Sequence, residues 1–155
     1  MAGQLEPFGL QRFVDAQDRV YDTVVAELRG GRKRSHWIWF IFPQLAGLGS
    51  SAMAQRYGIA SLAEARAYLA HDLLGPRLHE CARLITAVSG RSIEEVLGRS
   101  DELKLRSSMT LFARACAGHA GADCPGCSDF RAVLDRYFAG EEDPVTVDRL
   151  AAEPA

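Results

Sequence analysis

Two tetrads, Ser61-x-x-Glu64 and Ser92-x-x-Glu95, constrain the fold more than any other feature of the chain. Each has the pattern of a capping box, in which a serine hydroxyl accepts from the backbone N–H three residues on and the glutamate returns the contact. Leu62, Ala65, Tyr68 and Leu69 follow the first at helical spacing, and Val96 and Leu97 follow the second. Comparable signals recur along the chain. After an irregular lead-in over 1–12, Phe13, Val14, Tyr21, Val24, Val25 and Leu28 predict one helix. Gly30-Gly31 ends it, because glycine takes the left-handed position beyond a helix end at little cost. The loop Gly47-Leu-Gly-Ser-Ser51 leads to a short predicted helix ending near Gly58. Pro76 sits near the start of a helix over Leu73 to Val88, where its missing N–H costs little. Ser100-Asp101 opens Leu103 to Ala117, Ser128 caps Asp129 to Ala139, and Thr146 caps a last short helix. About eight helical segments with short connections predict an all-α (mainly helical) single compact domain over 13–150, followed by a tail at 151–155.

The run Trp37-Ile-Trp-Phe-Ile-Phe42, closed by Pro43, resists this reading. Its period does not separate a short extended segment at 37–42 from a buried helical turn. If extended, Trp37, Trp39 and Ile41 share one face and Ile38, Phe40 and Phe42 the other.

A chain of 155 residues, 48% hydrophobic and 25% charged, has the ordinary globular mixture and length for one domain. Its formal charge of −2, from 18 basic and 20 acidic residues, sets up no global field for nucleic acid or anionic lipid. No nucleic-acid partner is therefore expected. No segment reaches the roughly 20 apolar residues that cross a bilayer, and MAGQLEPFGLQRF lacks a signal-peptide layout. The expectation is a cytoplasmic protein without a membrane partner. In that reducing compartment the four cysteines are expected as thiols or ligands rather than disulfides.

The run Gly31-Arg-Lys-Arg-Ser-His-Trp-Ile-Trp-Phe-Ile-Phe-Pro-Gln44 is distinctive. Together with Gly47-Leu-Gly-Ser50, Tyr68-Leu-Ala-His71, Leu74-Gly-Pro-Arg-Leu78 and Lys104-Leu-Arg-Ser-Ser-Met-Thr-Leu-Phe112, it resembles the domain-of-unknown-function 1810 family. The resemblance runs from about Phe13 to Leu150 and implies a mainly helical single domain. Some members carry the label calpastatin; calpain inhibitors of that kind are disordered peptides, whereas this chain has the composition of a folded domain. The resemblance transfers no reaction and no catalytic residue. The cysteine-rich stretch Cys116–Cys127 is longer than the family pattern implies, so any metal chemistry there is a local addition.

Four groups of residues could carry chemistry. His36 and Gln44 bracket the aromatic run, as orienting groups at a cleft rim would. Trp37 and Trp39 could wall that cleft, with Lys33 and Arg34 supplying positive charge for phosphate or carboxylate. A buried aromatic core beside a solvated basic turn accounts for the same residues. His71 ends one helix and Arg77 lies in the first turn of the next. A histidine there can act as acid–base group, or simply interact with the carbonyl end of its helix. Lys104, Ser107 and Ser108 lie within one helical turn. They suit a nucleophile–base pair or a phosphate site, and equally a tight helix crossing. Cys116-x-x-His119 and Cys124-x-x-Cys127 have pairwise zinc spacing, although the linker between the pairs is short. No other cofactor is expected.

The sequence thus predicts an aromatic, basic-rimmed pocket for a phosphorylated or nucleotide-like small molecule. The protein would be a binding domain, or a small hydrolase-type enzyme with His36 or His71 as the acid–base group. The alternative is a non-enzymatic protein-interaction module. A concave pocket joining the three polar motifs favours the first reading, and a flat apolar patch favours the second.

Overall fold

Serine and aspartate caps open four of the described helices. The computed structural model describes residues 7–117 and 127–153. Ser51 caps α4 (Ala52–Arg56), Ser61 caps α5 (Leu62–Ala70) and Ser92 caps α7 (Ile93–Leu97), each hydroxyl accepting a backbone N–H three residues on. At Ser92 the full reciprocal box forms with Glu95. At Ser61 only half of it does: Glu64 accepts from the Ala60 N–H at 2.8 Å and pairs with Arg12 at 3.0 Å. The cap of α10 (Pro144–Ala151) is Asp143, not Thr146, and the Thr146 N–H and hydroxyl both donate to its carboxylate. An aspartate directly before a proline at the first helical position outcompetes a threonine three residues further in.

The single predicted N-terminal helix is two. The chain is helical over α1 (Gln11–Asp18), breaks at Arg19 and Val20, and resumes as α2 (Tyr21–Arg29). Residues 11 and 12, assigned to the lead-in by pattern, already belong to α1. Gly31, at φ 75, supplies the left-handed residue that ends α2. The aromatic run forms a helical turn, α3 (Ile38–Ile41), rather than an extended segment. Its residues therefore do not divide between two faces: Trp37, Ile38, Phe40, Ile41 and Phe42 are all buried. The remaining helices are α6 (Leu74–Ala87), α8 (Arg99–Ala117) and α9 (Cys127–Phe138). Among the described residues the only β pairing is one isolated parallel bridge, Leu45 to Ile59.

The result is an all-α fold around α8, against which α3, α5, α7, α9 and α10 pack. A run of aromatic contacts crosses the core. Phe13 meets Tyr68 edge-on at 5.1 Å, Tyr68 meets Phe112 at 5.2 Å, and Phe112 meets Phe130 at 6.1 Å. These separations lie in the favourable range for tilted rings. Buried Gln17 ties three elements to this run: its amide donates to the Phe40 carbonyl and the Tyr68 hydroxyl and accepts from Arg77. A buried amide so satisfied costs little and fixes the packing. Arg12 does the same for the N-terminal segment, donating to the carbonyls of Phe8, Gly9, Arg56 and Gly58.

Candidate functional site

A groove of about 260 Å³ opens where the 44–49 loop meets the beginnings of α8 and α10. Gln44, Leu48 and Gly49 line it from the loop, Ser100, Leu103, Lys104 and Ser107 from α8, and Asp143 and Val145 from α10. The helical turn of α3 sends Gln44 toward α8, and the bridge between Leu45 and Ile59 fixes the loop that follows. The Ala46 N–H donates to the Ile59 carbonyl and the Ile59 N–H to the Gln44 carbonyl, at 2.7 and 2.9 Å.

The charge at the lip is uneven. Asp101 accepts from two ammonium groups: Lys33 at 2.9 Å and Lys104 at 3.3 Å. The Lys33 side chain is 9% exposed, Asp101 13% and Lys104 25%. Lys33 is further held by the Trp37 ring, 5.3 Å away. One carboxylate thus serves two partly buried cations, and the more exposed cation faces the groove. Asp143, on the opposite wall, has its charge directed into the N-terminus of α10, where backbone N–H groups favour it.

Beneath the basic turn lies a second network. Glu27 accepts from the Arg34 N–H at 2.7 Å, the Ser35 N–H at 3.0 Å, the Trp37 indole N–H at 2.9 Å and the Ser35 hydroxyl. Burial pushes its carboxyl up, but these hydrogen bonds outweigh it and hold the group at about 2. Glu27 thereby fixes the turn that presents Lys33.

The structure brings part of the predicted site together. Gln44, Lys104 and Ser107 share the groove, joining the first and third motifs. The other candidates fall elsewhere. Trp37 is sealed in the core, and half-buried Trp39 lines a gap of about 10 Å³, room for about one water, beside Tyr57 and Ala54. The walls of the groove are therefore leucine and valine, not indole. Ser108 is fully buried, and its hydroxyl is the one buried side-chain N or O without a hydrogen-bond partner among the described residues. His36 is exposed and does not line the groove.

His71 and Arg77 have local structural partners. The His71 Nδ1 accepts from the N–H groups of Leu73 and Leu74 at 3.1 and 3.2 Å, satisfying the start of α6 instead of the end of α5. Arg77 pairs with Asp18 at 3.0 Å and lies 4.7 Å over the Tyr21 ring.

Two of the four cysteines are neither the thiols nor the ligands expected of a reducing compartment. Cys116 and Cys127 are joined in a disulfide, their Cα atoms 5.6 Å apart, because the end of α8 and the start of α9 meet. A sulfur so bonded is not the thiolate that zinc takes. His119 and Cys124, the other two proposed ligands, lie outside the described residues. Among the described residues no group of three or more metal-ligating side chains gathers, and no helix is long and apolar enough to cross a membrane. Cys81 is a buried free thiol, pushed up to about 12 by burial.

Several groove residues escaped the sequence reading. Leu103 is an apolar residue out of phase with the buried positions Leu105, Met109 and Phe112 of the same helix, a signal present in the pattern. Asp143 and Val145 flank Pro144, and their sequence shows nothing of the groove they line. Asp101 reads as a helix opener, and only folding shows that it is shared between two lysines.

Fold and groove together define a compact all-helical domain with a lysine-lipped cleft formed by a loop and two helix starts. The chain belongs to the family described as Protein of unknown function (DUF1810), which matches residues 7–150. It is similar to the conserved hypothetical protein Rv1873 from Mycobacterium tuberculosis, whose crystal structure superposes with a TM-score of 0.88 at 60% sequence identity. That match covers 96% of this chain and 100% of the other. Comparison with curated proteins finds no match.

Proposed function

We propose that the domain binds a small phosphorylated molecule in the groove between the 44–49 loop and the starts of α8 and α10. The observation that carries this reading is the single Asp101 carboxylate divided between Lys33 and Lys104. Partly buried cations outnumbering their carboxylate attract an anion, and an anion beside Lys104 relieves their mutual repulsion. Ser100, Ser107 and the Gln44 amide add uncharged donors on the same walls. The reading is of binding. Neither His36 nor His71 lies on the groove, so neither supports hydrolysis there.

A thermal-shift titration with inorganic phosphate and pyrophosphate tests it. Saturation at 100 times the dissociation constant adds about 2.7 kcal/mol of stability, and Lys104→Gln removes the shift. An unchanged melting temperature with both anions overturns the reading.

A second reading, a protein-interaction module, has one observation in its favour. Leu103 and Val145, 61% and 50% exposed, are the exposed large hydrophobic residues among those described, and both flank this groove. Sedimentation that shows self-association, lost on substituting both, would support it.

We further propose a cytosolic location, on the composition and the lack of a membrane-crossing helix among the described residues. In that compartment glutathione would act on the Cys116–Cys127 bond. Cell fractionation tests the location.

A further inference from the structure

The walls of the groove carry information about the ligand that its charge does not. This inference rests on the phosphate-binding reading above and extends it to the body of the ligand. Leu103 on α8 and Val145 on α10 both line the groove, together with Leu48 on the loop. Among the described residues they are the two large hydrophobic side chains left substantially in water. Their coincidence on one cleft is not what scattered surface apolar residues produce. The cation lies on the same cleft: Lys104 follows Leu103 directly, and Ser107 is one helical turn from each.

Among the described residues no aromatic ring lines the groove. Trp37 is buried, and Trp39 faces the neighbouring gap. A nucleobase therefore finds no platform for stacking, the contact by which proteins hold bases without reading their edges. Aliphatic walls beside a cation suit a ligand with an anionic end and a flat or chain-like apolar end. We infer that the groove takes a phosphomonoester with an apolar alkyl or aryl body, its phosphate on Lys104 and Ser107 and its body between Leu48, Leu103 and Val145, in preference to a nucleotide.

Calorimetric titration of the full chain with inorganic phosphate, phenyl phosphate and adenosine monophosphate tests this. Phenyl phosphate is expected to bind about tenfold more tightly than inorganic phosphate, a difference of about 1.4 kcal/mol. Adenosine monophosphate is expected to bind more weakly than phenyl phosphate. In the double variant Leu103→Ser and Val145→Ser the ratio of the two affinities, phenyl phosphate over inorganic phosphate, falls to near unity. Both side chains are exposed, so the variant keeps its core. Equal affinities for phosphate and phenyl phosphate, tighter binding of the nucleotide, or a phenyl advantage that survives the double substitution each overturns the inference. If inorganic phosphate itself does not bind, the underlying phosphate reading fails and this inference falls with it. If phosphate binds and the phenyl group adds nothing, only the apolar body is wrong. Self-association that the double variant abolishes, without a phenyl advantage, would assign the two side chains to a protein contact.

Discussion

The indole N–H of Trp37 donates to Oε1 of Glu27 at 2.9 Å, tying a sealed core ring to the helix that precedes the basic turn. Three further donors from Arg34 and Ser35 converge on the same carboxylate. Its folded value of about 2 lies below the ordinary 4.5. A depressed carboxylate stabilises the fold above its unfolded value, and that contribution is lost as pH falls toward the folded value. With allowance for partial solvent screening, it is worth about 1–2 kcal/mol. Glu27→Gln should lower stability by that amount at neutral pH and flatten the loss between pH 4.5 and 2. Denaturant unfolding across this range measures both effects.

Gly75 sits where α6 leaves the end of α5. A Cβ there would lie 2.2 Å from the Leu69 carbonyl oxygen, a backbone atom that cannot swing aside. Gly75→Ala should cost about 2–4 kcal/mol, well beyond its gain in helix propensity. Thermal unfolding of the variant checks this.

Ser108 presents the opposite case. Its buried hydroxyl lacks a partner, which costs about 1 kcal/mol or more. Ser108→Ala should raise stability by about 0.5–1 kcal/mol and leave phosphate binding unchanged, because the residue does not line the groove. Paired stability and binding measurements on this variant test both halves.

The disulfide closes a short loop between α8 and α9. A loop of this length is stabilised by roughly 2–3 kcal/mol through the constrained unfolded chain. Reduction, or Cys116→Ser with Cys127→Ser, should lower the melting temperature accordingly. Peptide mapping of unreduced protein should recover Cys116 and Cys127 on one linked peptide, and recovery of them unlinked would refute the assignment.

How far the sequence revealed this molecule depends on the range of each signal. The starts of α5 and α7 were legible because a serine cap acts on atoms three residues away. The break between α1 and α2 was not, since no glycine or proline marks Arg19-Val20. The helical form of the aromatic run was equally hidden, because an unbroken apolar run has no period. Gln44, Lys104 and Ser107 each stand in a distinctive motif, but their meeting is tertiary. The indole walls expected for the pocket went to the core, and leucine and valine took their place. Cysteine spacing suggested a metal, while the meeting of two helix ends decided which sulfurs bond.

The unequal burial of the two indoles has a practical consequence. Trp37 is shut away from solvent, while Trp39 shares Gln44 and Gly49 with the groove as common boundary. Fluorescence collected on the long-wavelength side of the tryptophan emission comes mainly from the wetter ring, because water relaxes around its excited state. The chain therefore contains its own optical gauge of what happens at the cleft, with the sealed ring as a steady internal standard.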